Sequence, residues 1–154
     1  MVFQSLSELI KYLPKKSRLL GLDVGRKTIG LAVSDSDMKI ATTVGTIRRS
    51  KFTKDVNDLD TIITERQVNG LVLGLPISMN GKEGPACQSV RQFAVNLDSI
   101  LEIGITFWDE RLSTSAVERL LTKEADLSRN RRSEIIDKMA AAYILQGALD
   151  SLSP

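Results

Sequence analysis

Four acidic residues, at three places in the sequence, could carry the chemistry of this chain. Asp23 interrupts an apolar run, where an unpaired carboxylate would be costly to bury. Asp109 and Glu110 follow a second apolar run, and Asp137 lies beside the apolar stripe of a helical segment. Mg²⁺ and Mn²⁺ prefer such hard oxygen ligands. A pair of these ions can stabilise the attacking and the leaving oxygen of a phosphodiester displacement. The acids therefore suggest a metal-dependent hydrolase of the two-metal-ion type.

Each acid also has an ordinary structural interpretation. Asp23 could cap the turn that follows it. Asp109 and Glu110 could be solvated surface acids after a strand, and Asp137 could pair with a neighbouring basic residue. Consecutive strand residues point to opposite faces of a sheet, so only one of Asp109 and Glu110 should share a face with Asp23.

Composition excludes several other kinds of site. The chain has 154 residues and no histidine, which excludes imidazole-based triads and histidine-ligated zinc. Its one cysteine, Cys87, excludes a disulfide framework and leaves a thiol without an imidazole partner. The 21 basic against 19 acidic residues give a net charge of +2, so affinity for nucleic acid would have to come from local patches. No apolar run reaches the length of a membrane span, and we expect a cytoplasmic protein.

The hydrophobic patterning predicts one domain at 18–154, preceded by an extension at 1–17 that holds a short docked helix. Three apolar segments joined by short turns predict a meander, and two more predict later strands. The predicted strands are 18–24, 28–34, 40–47, 70–75 and 104–108.

Helical patterns fill the segments between and after the later strands. Thr53 is the predicted cap of the first long helix, which Asn69-Gly70 should end. Pro85 suits the first position of the second helix. Ser115 and Glu118 form a predicted capping box for a short helix that reaches Leu121. A final helix should begin at about Ser133, after a polar, mobile segment at 123–132. Its predicted apolar face comprises Ile136, Met139, Ala140, Tyr143 and Ile144.

The resulting order is β-β-β-α-β-α-β-α-α. A meander followed by α/β crossovers implies a mixed sheet of five strands, antiparallel in the meander and parallel beyond it, with helices on both faces. This α/β order is that of the ribonuclease H-like fold.

Four segments in this order resemble the YqgF family over nearly the whole chain, 18–149. Its members are described as Holliday-junction resolvases and as nucleases that process the 5′ end of precursor 16S rRNA. The resemblance implies a ribonuclease H-like fold and phosphodiester hydrolysis with Mg²⁺ or Mn²⁺. The segments are GLDVGRKTIGLAVSD (21–35), VLGLPISMNGKEGP (72–85), FWDERLST (107–114) and DKMAAAYILQ (137–146).

The family pattern assigns catalysis and metal binding to Asp23, the Asp109-Glu110 pair and Asp137. Relatives of this fold often place a glutamate in such a site, which favours Glu110 over Asp109. Related bacterial junction resolvases carry an acid on the strand matching 70–75, and this sequence has none there. Glu83, in the following loop, is the fallback.

Basic residues near the acids are the predicted contacts to a nucleic-acid backbone, which position a strand without reading its sequence. The loop 78–84 is either a plain connection or a holder of phosphate through its backbone N–H groups. The predicted nucleic-acid-binding residues are Arg26, Lys27, Arg111, Arg129, Arg131 and Arg132, with Arg48, Arg49 and Lys51 after the third strand.

The leading functional hypothesis is a nuclease that processes the 5′ end of precursor 16S rRNA in ribosome biogenesis. The same chemistry on four-way DNA is the alternative, and such a resolvase should be a dimer because it faces two strands. The sequence leaves monomer and homodimer open. A nucleotide-binding module is another alternative, but such proteins hold the nucleotide between two domains of this kind, and this chain has one. A non-catalytic assembly factor is a further alternative.

Overall fold

The computed structural model describes residues 1–111 and 129–152, with side chains at 1–111 and 139–152. The predicted capping box at Ser115 and Glu118 and the helix to Leu121 lie outside the described residues. No helix in the described ranges is long and apolar enough to cross a membrane. The strands are β1 (Arg18–Val24), β2 (Thr28–Ser34), β3 (Ala41–Arg48), β4 (Val68–Leu75) and β5 (Gly104–Asp109), and the helices are α1 (Leu6–Tyr12), α2 (Phe52–Glu65), α3 (Pro85–Asp98) and α4 (Arg129–Asp150).

One mixed sheet joins the five strands in the order β3-β2-β1-β4-β5. The β1–β2 and β2–β3 pairs are antiparallel, and β4 is parallel to both β1 and β5. Short turns suffice for the antiparallel pairs, whereas each parallel pair requires a crossover, and α2 and α3 supply these. The predicted meander with added parallel strands is therefore confirmed.

Side chains alternate between the two faces of this sheet. Leu20 and Leu22 of β1 belong to the core shared with α2 and α3. Leu19, the residue before them, belongs to the core shared with α1 and α4. Helices thus cover both faces, as the sequence predicted.

Helix α4 lies unusually close to the sheet because two strand positions have no side chain. A Cβ atom at Gly21 of β1 would stand 2.8 Å from Leu145 Cβ and 3.1 Å from the Ala141 carbonyl oxygen. A Cβ at Gly74 of β4 would stand 2.6 Å from Ile144 Cδ1. Helix α4 therefore packs directly on the backbones of β1 and β4.

The direction of α4 follows from Gln146 near its end. Its side-chain oxygen accepts from the Ala41 N–H at 2.9 Å, and Ala41 pairs with Ser34 at the end of β2. The Ser34 hydroxyl in turn accepts from the Leu19 N–H at 2.8 Å, at the start of β1. The later part of α4 thus lies over the start of β1, and its earlier part extends toward the carboxyl end of β1.

Both predicted ends of the first long helix are wrong. Helix α2 starts at Phe52, so Thr53 lies inside its first turn, and the position before the helix provides no side-chain cap. The buried Asp55 instead accepts from the Ser50 N–H at 3.1 Å. The helix ends at Glu65.

Asn69-Gly70 does not end α2, because both residues belong to β4. The chain turns at Gln67, whose φ of 55° is left-handed. Gly70 pairs with Leu19 on one side and with Gly104 on the other. Sheet pairing thus overrides the turn preference of this dipeptide.

The final helix begins earlier than the sequence predicts. It begins at Arg129, four residues before Ser133, so 129–132 is helical. Its buried face is rotated from the predicted one, since Met139 and Tyr143 are only half-buried. The α4 side chains that contact the two glycine positions are those of Ile144 and Leu145, so the buried face is set by this contact. Among the α4 side chains that the structure describes, at 139–150, the buried ones are Ala140, Ala141, Ile144, Leu145, Ala148 and Leu149.

We predict that Gly21→Ala lowers the free energy of unfolding by about 1–3 kcal/mol, because the added methyl group overpacks the α4 contact. The matched control is Gly84→Ala, where a Cβ meets nothing within 4 Å and φ is −89°. Both changes restrict the unfolded chain equally. The control adds no clash, and because alanine is a poorer residue than glycine at the position before a helix, it should lower the free energy of unfolding by less than about 1 kcal/mol. Urea denaturation compares them. Equal midpoints would contradict the close packing of α4.

Candidate active site

Asp23 and Glu110 come together at the carboxyl end of the sheet, on the face that carries α4. Asp23 is two residues beyond Gly21 on β1 and shares its face. The Glu110 N–H donates to the Leu75 carbonyl oxygen at 3.1 Å, which continues the β4–β5 pairing by one residue. The Glu110 carboxylate then occupies the space over Gly74, with Oε2 2.5 Å from where a Cβ would stand. The missing side chain at Gly74 therefore makes room for this acid.

Asp109 has a different position and a different partner. The Arg111 side chain donates through Nε to Asp109 Oδ2 at 2.7 Å, and the Arg111 backbone N–H donates to Oδ1 at 3.0 Å. Burial opposes ionisation of Asp109, but the hydrogen bonds and charge of Arg111 outweigh it and hold the pKa below its ordinary value. Asp109 is thus engaged with Arg111, while Glu110 lies beside Asp23.

Glu110 carries the strongest electrostatic perturbation of the described part of the site. Burial raises the pKa of this carboxyl to about 7, and the negative charges of Asp23 and Asp109 add to the effect. A carboxyl in this condition is poised to exchange a proton near neutral pH. It would ionise more readily beside a bound cation, which offsets the charge of the neighbouring acids.

These two acids line a cleft of about 500 Å³, which is a usual size for a ligand site. The turn after β1, Arg49 and the start of α3 also contribute to its lining. The lining residues are Asp23, Val24, Gly25, Arg26, Arg49, Pro76, Pro85, Ala86, Ser89 and Glu110.

The backbone of Asp137 lies at the same end of the molecule. Ala141, four residues later, contacts the position of Gly21 through its carbonyl oxygen. At about 1.5 Å per helical residue, Asp137 is about 6 Å from Ala141 along α4. Asp23 is about 7 Å from Gly21 along β1, in the same direction. The side chain of Asp137 lies outside the description, and within the described residues no group of three acids forms a metal site. The role of Asp137 as a metal ligand stays a prediction.

Six of the predicted nucleic-acid contacts, leaving aside those after the third strand, divide into three groups. Arg26 lines the cleft, and Lys27 follows it in the same exposed turn. Arg111 is engaged with Asp109. The last group, on the first turns of α4, has side chains outside the description and comprises Arg129, Arg131 and Arg132. Their binding roles stay predictions.

Two of the weaker expectations lose support. The fallback acid, Glu83, accepts two hydrogen bonds from Arg91 at 2.6 and 2.8 Å, and it does not line the cleft. In the loop 78–84, the Gly81 N–H donates to the Ser78 carbonyl oxygen and the Ser78 N–H donates to that of Lys82. These N–H groups are used inside the loop, which favours a plain connection.

Sequence reasoning missed the contribution of α3 to the cleft. Pro85, Ala86 and Ser89 form one wall. Pro85 signalled the start of a helix, but nothing in the local sequence indicated that this helix begins beside Asp23. That proximity is a tertiary effect of the crossover between β4 and β5.

A family model described as "RuvX: Holliday junction resolvase" matches residues 17–151. The chain belongs to the RuvX family. RuvX is the YqgF family, so the resemblance seen in the sequence is confirmed, and with it the expectation of a nuclease that hydrolyses phosphodiester bonds.

Several RuvX relatives match this chain over almost its whole length. One from Paramagnetospirillum magneticum is 59% identical over 96% of this chain and 94% of the relative. Another from Ruegeria pomeroyi is 56% identical over 99% of this chain and 98% of the relative. Both are named "Putative pre-16S rRNA nuclease".

A solved structure shares the fold. It is Thermus thermophilus RuvC in complex with a Holliday junction substrate, with a TM-score of 0.51 at 11% identity. The similarity covers 89% of this chain and 96% of that one. The predicted ribonuclease H-like fold is confirmed.

The raised pKa of Glu110 predicts that stability falls as pH rises from about 4.5 to about 7. In this interval the folded state retains a proton that the unfolded state has lost, so each pH unit costs up to about 1.4 kcal/mol. Urea unfolding at about pH 5 and about pH 7 measures the slope. Glu110→Gln should flatten it, whereas Glu102→Gln, at an exposed site, should not. An unchanged slope in Glu110→Gln would assign the pH dependence to other groups.

Proposed function

We propose that this chain is a metal-dependent nuclease that processes the 5′ end of precursor 16S rRNA, with Asp23, Glu110 and Asp137 as its metal ligands. One observation carries the proposal. Asp23 and Glu110 line one cleft at the end of the sheet, and their mutual repulsion together with burial brings the pKa of Glu110 to about 7. A divalent cation would offset that charge.

The residues present fit Mg²⁺ or Mn²⁺. Their donor atoms are carboxylate oxygens, which these ions prefer, and the described lining of the cleft contains no nitrogen or sulfur ligand of the kind that selects zinc. Such ions, when bound, would activate water and stabilise charge on the departing oxygen.

The chain's own residues position and shield the reacting groups. Asp23 is held on a central strand and Glu110 directly after another, so both are on rigid elements. Until a cation binds, Glu110 can hold a proton at its carboxylate near neutral pH. Arg26 and Lys27, in the turn beside Asp23, would contact phosphates of the bound strand.

The choice of RNA rests on the relatives. Proteins up to 59% identical over nearly the whole chain carry a name that specifies precursor 16S rRNA. This substrate would place the protein in the cytoplasm, in ribosome biogenesis.

Cleavage of four-way DNA is the second candidate, favoured by the description of the family model. The same acids would perform the same hydrolysis. The difference lies in assembly, since a resolvase must present two sites to two strands and should form a stable homodimer. The rRNA nuclease can act as a monomer.

The deciding experiment is a cleavage assay with Mg²⁺ or Mn²⁺ on a precursor 16S 5′-leader RNA and a four-way DNA junction, side by side. We expect cleavage of the RNA and none by folded Asp23→Asn, because that change removes a ligand carboxylate. Circular dichroism checks the fold of the variant. Cleavage of the junction alone would support the resolvase. No metal-dependent cleavage of either substrate would favour a non-catalytic assembly factor.

A paired comparison distinguishes the two neighbouring acids. We expect Glu110→Gln to lower kcat by at least about 100-fold with little loss of stability, because it removes a carboxylate that acts on the reacting groups. Asp109→Asn should lower kcat far less and lower the free energy of unfolding by less than about 1 kcal/mol, because the ion pair with Arg111 is partly exposed and screened by solvent. Single-turnover kinetics and urea unfolding measure the two effects. The reverse pattern would make Asp109 the catalytic acid.

A further inference from the structure

We propose that Arg49 is a phosphate-binding residue of the active-site cleft, which grips one phosphate of the bound strand beside Asp23 and Glu110. The inference rests on the proposed function and goes beyond it, because it assigns one particular contact among many exposed basic residues.

Three contacts fix the position of Arg49. Its backbone N–H donates to the Lys27 carbonyl oxygen at 2.8 Å, which ties the end of β3 to the turn after β1. Its Nη1 donates to the Gly25 carbonyl oxygen at 2.6 Å. The guanidinium carbon lies 5.2 Å from the centre of the Phe93 ring. The side chain is therefore held in one place before any substrate arrives.

Phe93 is itself immobilised. It is 4% exposed and packs edge-to-face on Phe52, with the ring centres 5.8 Å apart. Contact between a guanidinium and an aromatic face is favourable and is stronger where water is excluded. Helix α3 thus provides, in Phe93, an aromatic ring on which the Arg49 cation packs.

The charge of Arg49 is available to a ligand. Within the described residues, no carboxylate forms an ion pair with Arg49, whereas Arg91 pairs with Glu83 and Arg111 with Asp109. A guanidinium has five N–H donors in a planar fork. The Gly25 bond uses Nη1, and the remaining donors suit two oxygens of one phosphate.

The start of α3, which also lines the cleft, favours an anion as well. Helix α3 has 14 residues, and Gly84 at its start makes no side-chain cap. The first N–H groups of a helix lack partners within it and carry partial positive charge. Ala86 and Ser89, in the first two turns, line the same cleft as Arg49. A phosphate in this cleft would therefore meet favourable charge from Arg49 and from the start of α3.

Arg49 differs in this respect from its neighbours. Arg48 and Lys51 are exposed and do not line the cleft, whereas Arg49 is half-buried and does. A phosphate held by Arg49 would share the cleft with both carboxylates. The contact should consequently position the strand for cleavage as well as add affinity.

The test compares Arg49→Gln, Arg49→Lys and the matched control Arg66→Gln. Arg66 is exposed after α2, near the opposite end of the sheet. Fluorescence anisotropy would measure binding of the labelled precursor 16S leader RNA and of a labelled four-way DNA junction at several salt concentrations. These measurements are made in the Asp23→Asn background, so that cleavage does not interfere, and kcat and KM are measured separately in the wild-type background.

We expect Arg49→Gln to weaken binding about tenfold and to reduce the slope of log affinity against log salt by about 0.7–0.9, the value for one phosphate contact. It should also lower kcat. Arg49→Lys keeps the charge without the planar fork and should recover the slope but only part of kcat. Arg66→Gln should change none of these quantities.

Two results would overturn the assignment. One is a folded Arg49→Gln whose affinity, salt slope and kcat equal those of wild type. The other is a loss of binding that matches only a loss of folded protein, which would make Arg49 purely structural. The proposed function fails separately, if the wild-type chain binds the probes but cleaves neither, and the binding data then still decide the role of Arg49. A wild-type chain that binds neither probe refutes both.

Discussion

The packing of α4 directly on the backbones of β1 and β4 is the constraint on which the site depends. Gly21 and Gly74 provide the space, and any side chain at either position would collide with α4. The same space over Gly74 admits the carboxylate of Glu110. One close contact therefore brings together an acid after β5, the end of β1 and the early turns of the helix that carries Asp137. A fold of this kind can place acids from distant parts of the chain at one point because its layers are rigid.

The two neighbouring acids at the end of β5 have different partners, although both act on the same cleft. The alternation of side chains around the end of β5 sends Asp109 and Glu110 to different environments. Arg111 pairs with the first, whereas the second lies in the cleft beside Asp23, where the charge of Asp109 still adds to that of Asp23 in raising the pKa of Glu110. Ionisation of Glu110 is unfavourable here, and a cation bound as proposed would offset the negative charge and make ionisation easier. The proposed function would thus make use of an electrostatic cost in the folded protein.

Patterns of single residues predicted the strands and the family well, because buried strands read as apolar runs and the motifs are contiguous. Helix ends were predicted less well. Asn69-Gly70 has the composition of a turn but is held in β4 by pairing on both sides, while the actual turn at Gln67 has no local signal. The choice between Asp109 and Glu110 needed the packing around Gly74. Arg49 is indistinguishable from Arg48 in sequence, since only tertiary contacts hold one of them in the cleft.

The character of the cleft also limits how a substrate is recognised. Its described lining offers carboxylates, arginines and a helix start, and it includes no aromatic side chain on which a base could stack. Such groups recognise phosphates and backbone shape rather than base sequence. Such a lining suits the phosphates of RNA and of branched DNA alike, the two kinds of nucleic acid named in the descriptions of the family model and of its relatives. Discrimination between these substrates must arise where the 2′-hydroxyl or the geometry of the flanking arms is contacted. The basic residues around the cleft, rather than the catalytic acids, should consequently determine which nucleic acid is cleaved.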